Sequence, residues 1–209
     1  MEIILENTGR RYNNEWIYRK INYSFIAGFT YVLTGSNGSG KSTLMQTLLG
    51  FILPSEGKIT YKLKQNTIKN EDFFNHVSVA APYIDVYDDY NLLELLDFHQ
   101  ALKPLVVNKQ EFIDLSGLQA SATKPIKNYS SGMKQRVKLS LAILSDVPVL
   151  LLDEPCSNLD SDARKWYADT LLKYKQNRLV IIASNNFTEE YPGAQHFINV
   201  GDYKNDLIL

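Results

Sequence analysis

Cysteine is all but missing. The chain has 209 residues and a single cysteine, Cys156, which excludes an internal disulfide and agrees with a reducing compartment. Long hydrophobic runs are missing too. The longest, Val147–Leu152 and Leu179–Ala183, fall far short of the ~18 residues a membrane-spanning helix needs. The start, MEIILENTGRR, carries Glu2 and Glu6 and lacks a basic start followed by an apolar block, so no export signal is expected. Charge of either sign is not in excess: the net charge of −1 argues against a dedicated nucleic-acid binder. No repeat and no low-complexity segment appears. What remains is globular, with 44% hydrophobic and 22% charged residues. The expectation is a cytoplasmic domain with no membrane span of its own.

Strand-like runs rich in β-branched and aromatic residues dominate the beginning: Ile3–Leu5, Trp16–Tyr23 and Ile59–Leu63. Phe29–Thr34 is an apolar strand ending at Gly35, and Leu44, Leu48 and Leu49 then repeat at helical spacing up to Gly50. From Asn91 to about Leu118 the pattern is helical, with Leu92, Leu95, Leu96 and Phe98 on one face. Asn108 followed by Glu111 resembles a capping box. Val149–Leu152 and Leu179–Ala183 read as buried parallel strands joined by a helix, Asp162–Tyr174.

Between the strand and helix near residue 35 lies Gly35-Ser36-Asn37-Gly38-Ser39-Gly40-Lys41-Ser42-Thr43, which satisfies G-x-x-x-x-G-K-[ST]. The glycines let the backbone curl so that successive N–H groups point at phosphate oxygens, and the helix adds its positive N-terminal end. Lys41 supplies an ammonium for β- and γ-phosphates, and the Ser42 hydroxyl can ligate Mg²⁺. The strand Val149–Leu152 runs into Asp153-Glu154. Asp153 is the candidate to hold Mg²⁺ through water, and Glu154 the candidate to orient or deprotonate the attacking water.

These residues, in this order, resemble the ATP-binding subunits of ABC (ATP-binding cassette) transporters. Tyr129-Ser130-Ser131-Gly132-Met133 is similar to the family signature, usually LSGGQ, and Ser157-Asn158-Leu159-Asp160 is similar to its D-loop. Tyr12 falls where the family places an aromatic ring that stacks on adenine. The resemblance implies an α/β P-loop NTPase fold with a mostly parallel core sheet, an N-terminal antiparallel β-subdomain and a helical signature subdomain. One domain, 1–209, is expected, with about 1–90 and 148–209 as core and about 91–147 as the helical part. The resemblance further implies ATP and Mg²⁺ as ligands. A second copy or a homologous cassette would receive Ser130, Ser131 and Gly132 in trans on its γ-phosphate. A separate membrane permease would hold the cassette at the inner face of a membrane.

The family pattern is broken in three motifs. Ser131 replaces the first signature glycine, Tyr129 the leucine and Met133 the glutamine. Where a Q-loop glutamine should follow the strand Val77–Ala80, Pro82 stands nearest, and no Gln occurs between Gln65 and Gln100. Where a switch histidine should follow Leu179–Ala183, the chain has Asn185. An asparagine amide can donate to a γ-phosphate but cannot become cationic. His76, His99 and His196 lie outside these motifs and read as packing or surface residues. The leading expectation is an ATPase that drives a permease, slowed by the missing Gln and His. The alternatives are a soluble regulatory ABC-type ATPase and a nucleotide-gated binding module with very slow hydrolysis.

Overall fold

The computed structural model describes residues 1–185 and 187–204. The β-rich beginning folds as β1 (Glu2–Tyr12), β2 (Glu15–Ile26), β3 (Thr30–Thr34), α1 (Lys41–Leu48), β4 (Glu56–Leu63), β5 (Asn66–Ile68) and β6 (Val77–Ala80). A helical stretch follows: α2 (Leu92–Leu102), α3 (Lys109–Ser116) and α4 (Ser131–Leu144). The chain then returns to alternating elements, β7 (Val149–Asp153), α5 (Ser161–Tyr174), β8 (Leu179–Ala183) and β9 (His196–Asn199).

Two sheets form. One is antiparallel, in the order β2-β1-β4-β5; the other is parallel, in the order β6-β7-β8-β3-β9. Every residue of β7 and β8 is buried, as their continuous apolar runs require of strands covered on both faces. Alternation of side chains then divides the core. Val149, Leu151, Leu179 and Ile181 pack toward α1 and the antiparallel sheet, while Leu150, Leu152, Val180 and Ile182 pack toward α4 and α5. A third apolar cluster is built within the helical stretch by Leu92, Leu96, Phe112, Ile126 and Val137.

The helical middle of the chain breaks at Pro104, and one of its apolar residues faces away from the others. Pro104 has no N–H to give, so α2 stops at Leu102 and the chain runs extended to Asn108, where Val106 donates to the Leu144 carbonyl. Leu92, Leu95 and Leu96 are buried, but Phe98 is exposed and stands edge-on to Tyr87 at 5.2 Å. At 100° per residue, a side chain two positions after Leu96 faces nearly the opposite way. Asn108 caps α3 through the Glu111 N–H, whereas the reciprocal capping box forms at Asn91 and Glu94. No helix among the described residues is long and apolar enough to cross a membrane. Residues 205–209, the end of the expected domain, lie outside the described residues.

Candidate functional site

Parallel register assembles the site. Leu33 of β3 lies beside Ala183 of β8, and Ala183 beside Asp153 of β7, so the chain leaves three adjacent strands at one level. Two cross-strand hydrogen bonds continue past that level: Glu154 donates to the Ala183 carbonyl at 3.0 Å, and Ser184 to the Leu33 carbonyl at 3.1 Å. The glycine-rich loop, the acid pair and Asn185 therefore share the carboxyl edge of the sheet, the place where open α/β sheets bind ligands.

The loop is a preshaped cradle. Gly40, with φ 101°, caps α1 in the left-handed region, and a Cβ there would meet Ile17 Cγ2 at 2.5 Å. Lys41 is 5% exposed, and its ammonium donates to the carbonyls of Gly35 at 2.9 Å and Ser36 at 3.0 Å. Burial lowers its pKa, against the opposing pull of Glu154, Asp153 and Glu190. A cavity of about 240 Å³ is lined by Ile17, Asn37, Gly38, Gly40, Lys41, Ser42, Thr43, Glu154 and Asn185. Ser36 and Asn37 are exposed on the loop's outer turn, and Ser39 is tucked behind it.

The electrostatics of the acid pair are asymmetric. Asp153 is buried, and neither carboxylate oxygen finds a hydrogen-bond partner among the described residues. Burial pushes its pKa up to about 6; the neighbouring Ser42 hydroxyl pulls it back without a well-aligned hydrogen bond, Glu154 adds to the rise and Lys41 opposes it. Two orphaned anionic oxygens beside a serine hydroxyl fit a hard cation that prefers oxygen donors. Glu154 is half-buried, and its backbone adopts φ 47°, a strained value for a residue with a Cβ. Its side chain accepts a hydrogen bond from Asn185 Nδ2 at 2.7 Å.

The signature residues gather elsewhere. Ser130 caps α4 by accepting the Met133 N–H at 3.2 Å, and a smaller cavity of about 150 Å³ lies between Ser130, Gly132, Met133 and Arg136 and the stretch Asn158–Asp160. Ser131 is exposed, and Asp160 caps α5 through the Ala163 N–H at 2.8 Å. A Cβ on Gly132 would meet the Asn158 carbonyl at 3.1 Å, so the two segments pack closely. Tyr129 is buried, its hydroxyl donating to the Ser121 carbonyl at 2.8 Å. The two cavities share no lining residue. Tyr12, at the end of β1, is 44% exposed under the Arg10 guanidinium at 4.6 Å, and does not line the larger cavity.

Three residues near the site escaped the sequence pattern. Ile17, near the start of β2, forms a cavity wall. Tyr83 follows Pro82 in a tight turn closed by Ile84 N–H to the Ala81 carbonyl at 3.2 Å; burial, then the charge of Asp153, raises its phenol above the usual range. Glu190 is a buried carboxyl whose pKa is raised by burial; the Ser184 hydroxyl and Cys156 N–H counter the rise, and Glu154 and Asp153 add to it.

A glycine-rich phosphate cradle between β3 and α1, with an acid pair ending the strand two places away, defines a P-loop nucleoside-triphosphate-binding protein. The comparisons agree and narrow the class. The ABC transporter family model matches residues 18–157. An uncharacterised ABC transporter ATP-binding protein of Bacillus subtilis, YybJ, is 30% identical over 88% of this chain and 85% of its own length. The chelated iron transport system membrane protein YfeB of Yersinia pestis is 31% identical over 94% of this chain and 70% of its own. Among solved structures, a putative ABC transporter ATP-binding protein from Pyrococcus furiosus superposes with TM-score 0.80 at 21% identity, covering 97% of this chain and 99% of that one. The chain belongs to the ABC transporter family and is one of its ATP-binding cassettes, a component of ATP-powered transport.

Proposed function

We propose that this cassette binds and hydrolyses ATP, closes head to tail on a second copy or a homologous cassette, and transmits that closure to a separate membrane permease. The observation that carries this reading is the division of the site. Lys41, Ser42, Asp153, Glu154 and Asn185 converge on one edge, while Ser130, Gly132 and Asp160 line a different cavity. A signature face with no phosphate loop of its own is completed by a loop from another subunit.

In this reading the N–H groups of Gly35–Thr43 and the Lys41 ammonium hold the phosphates. Ser42 and Asp153 hold Mg²⁺, which when bound offsets phosphate charge. Glu154 accepts the proton of the attacking water, and its bond to Asn185 keeps its carboxylate aimed. Tyr12 provides the adenine platform from the end of β1. Ser130, Ser131 and Gly132 act in trans, and Asp160 holds the D-loop by capping α5.

Hydrolysis is slow in this reading because Asn185 is neutral and Pro82 stands nearest the place of the expected glutamine; each missing transition-state contact costs ~10²-fold. The same two residues favour the second reading, a nucleotide-gated module with very slow turnover. Single-turnover ATP cleavage by the purified protein separates the two. Co-purification with an integral membrane protein supports the permease-coupled reading; purification without one in a membrane extract supports a free regulatory ATPase.

A further inference from the structure

Glu190 is an expensive residue. It is 5% exposed, at the end of the short 3-10 turn Thr188–Glu190, and its Oε2 is buried without a well-aligned hydrogen bond among the described residues, although the Ser184 hydroxyl draws its pKa down. Burying a carboxyl with half its hydrogen bonds unmade is unfavourable, and an apolar side chain would fill the same place without that cost. Its other oxygen, Oε1, accepts the Cys156 N–H at 3.3 Å. Cys156 lies two residues after Glu154, within the turn that holds Glu154 at its strained φ and closes through Ser157 N–H to the Glu154 carbonyl at 3.1 Å.

The other end of the link leads to Asn185. Glu190 N–H donates to the Phe187 carbonyl at 3.0 Å, and Phe187 N–H donates to Ser184 Oγ at 3.2 Å, next to Asn185. The Glu190 main chain is fixed in turn, because its carbonyl accepts the buried Tyr167 hydroxyl at 2.6 Å. Segments from two strands are therefore joined twice: once by Asn185 to Glu154 at 2.7 Å, and once behind them by Glu190 to Cys156.

We propose that Glu190 is a positioning residue: its carboxyl ties the turn after Glu154 to the segment carrying Asn185, and so sets the geometry of that pair. This rests on the assignment of Glu154 and Asn185 to hydrolysis made above. A buried brace matters more here than it would with a charged switch residue, because a neutral amide holds a carboxylate by one hydrogen bond alone. Glu190 touches no phosphate in this account and transfers no proton.

The test uses the full chain with Glu190→Leu and Glu190→Gln, reading ATP turnover together with hydrogen exchange at the Cys156 amide. Glu190→Leu removes the acceptor: Cys156 exchange rises ~10-fold or more and kcat falls ~10- to 100-fold, with KM for ATP within about threefold. Glu190→Gln keeps a carbonyl in the same place and restores both. If Glu190→Leu does not fold, Glu190→Ala takes its place with the same expectations. A folded apolar variant with unchanged kcat overturns the proposal, as does a glutamine variant as slow as the apolar one. Glu154→Gln is measured alongside: persistent turnover there overturns the base assignment, while the exchange at Cys156 still reports whether the brace exists.

Discussion

Asn185 Nδ2 donates to Glu154 Oε1 across 2.7 Å, joining the second residue beyond β8 to the first beyond β7. One of the amide's two N–H donors is thus committed to the carboxylate, leaving the other for a phosphate. Two substitutions separate these roles. Glu154→Gln is expected to abolish cleavage while ATP binding remains, measured by single-turnover hydrolysis and nucleotide titration. Asn185→His is expected to raise turnover by ~10-fold or more, since an imidazole can carry the charge that the amide cannot. An unchanged rate in Asn185→His would remove the missing histidine as the cause of slow hydrolysis.

Gly40 is held by two independent constraints, its φ of 101° and the approach of Ile17 Cγ2 to 2.5 Å from any added Cβ. Gly40→Ala is expected to lose at least ~1 kcal/mol of stability from the backbone alone, together with much of its ATP affinity. Adding Ile17→Ala should recover the part due to collision and leave the part due to φ. Thermal melts with and without ATP resolve the two contributions. Full recovery in the double variant would mean that φ at this position is free.

In the permease-coupled reading, the groove beside α2 is the expected docking face. It is a cavity of about 200 Å³ whose walls include Val79, Ile84, Leu95, Phe98 and Leu141, with Tyr87 at its rim. Tyr87 and Phe98 are both exposed, which is what an unpartnered contact patch presents. Phe98→Asp is expected to abolish co-purification with a membrane partner and to leave ATP binding within about twofold, because α2 keeps Leu92, Leu95 and Leu96 in the core. Retained co-purification would move the docking face elsewhere.

The phosphate loop and the acid pair were legible because each is a contiguous spelling. The buried strands were legible because β7 and β8 carry no polar residue before Asp153 and Ser184. Glu190 was not, because its acidic side chain sits in the polar stretch Thr188-Glu189-Glu190, which reads as solvated surface. Only the packing of that turn against α5 and the Cys156 amide buries it. Glu189, its neighbour, does behave as the pattern implies and pairs with Arg164 at 3.4 Å on the surface. Tyr83 carries no motif spelling of its own, and only the turn Ala81–Ile84 after Pro82 brings it under the influence of Asp153. Phe98 is half out of the core because the buried face of Leu92, Leu95 and Leu96 does not extend to it.

His99 supplies a pH dependence that owes nothing to the nucleotide site. Burial, and then the nearby Lys103 ammonium, lower its pKa to about 4. Ser145 Oγ already donates to the Leu141 carbonyl at 2.6 Å, so the 2.9 Å contact with His99 Nε2 is one in which the ring nitrogen carries the proton and donates. That assigns a neutral imidazole protonated at Nε2. Lys138, paired with Asp85 at 2.9 Å, lines the same cavity and adds no free carboxylate to favour the cation. Between pH 6.5, the ordinary histidine value, and about 4, the unfolded chain therefore binds more protons than the folded one, and stability is lost as pH falls through that window. After allowance for partial exposure of the ring, the loss is about 2 kcal/mol. His99→Phe fills the site without orphaning Ser145, and should flatten the melting temperature between pH 6.5 and 4.5 relative to the parent chain. Parallel pH profiles for the two proteins would show that His99 stays charged in the fold or that its burial carries no cost.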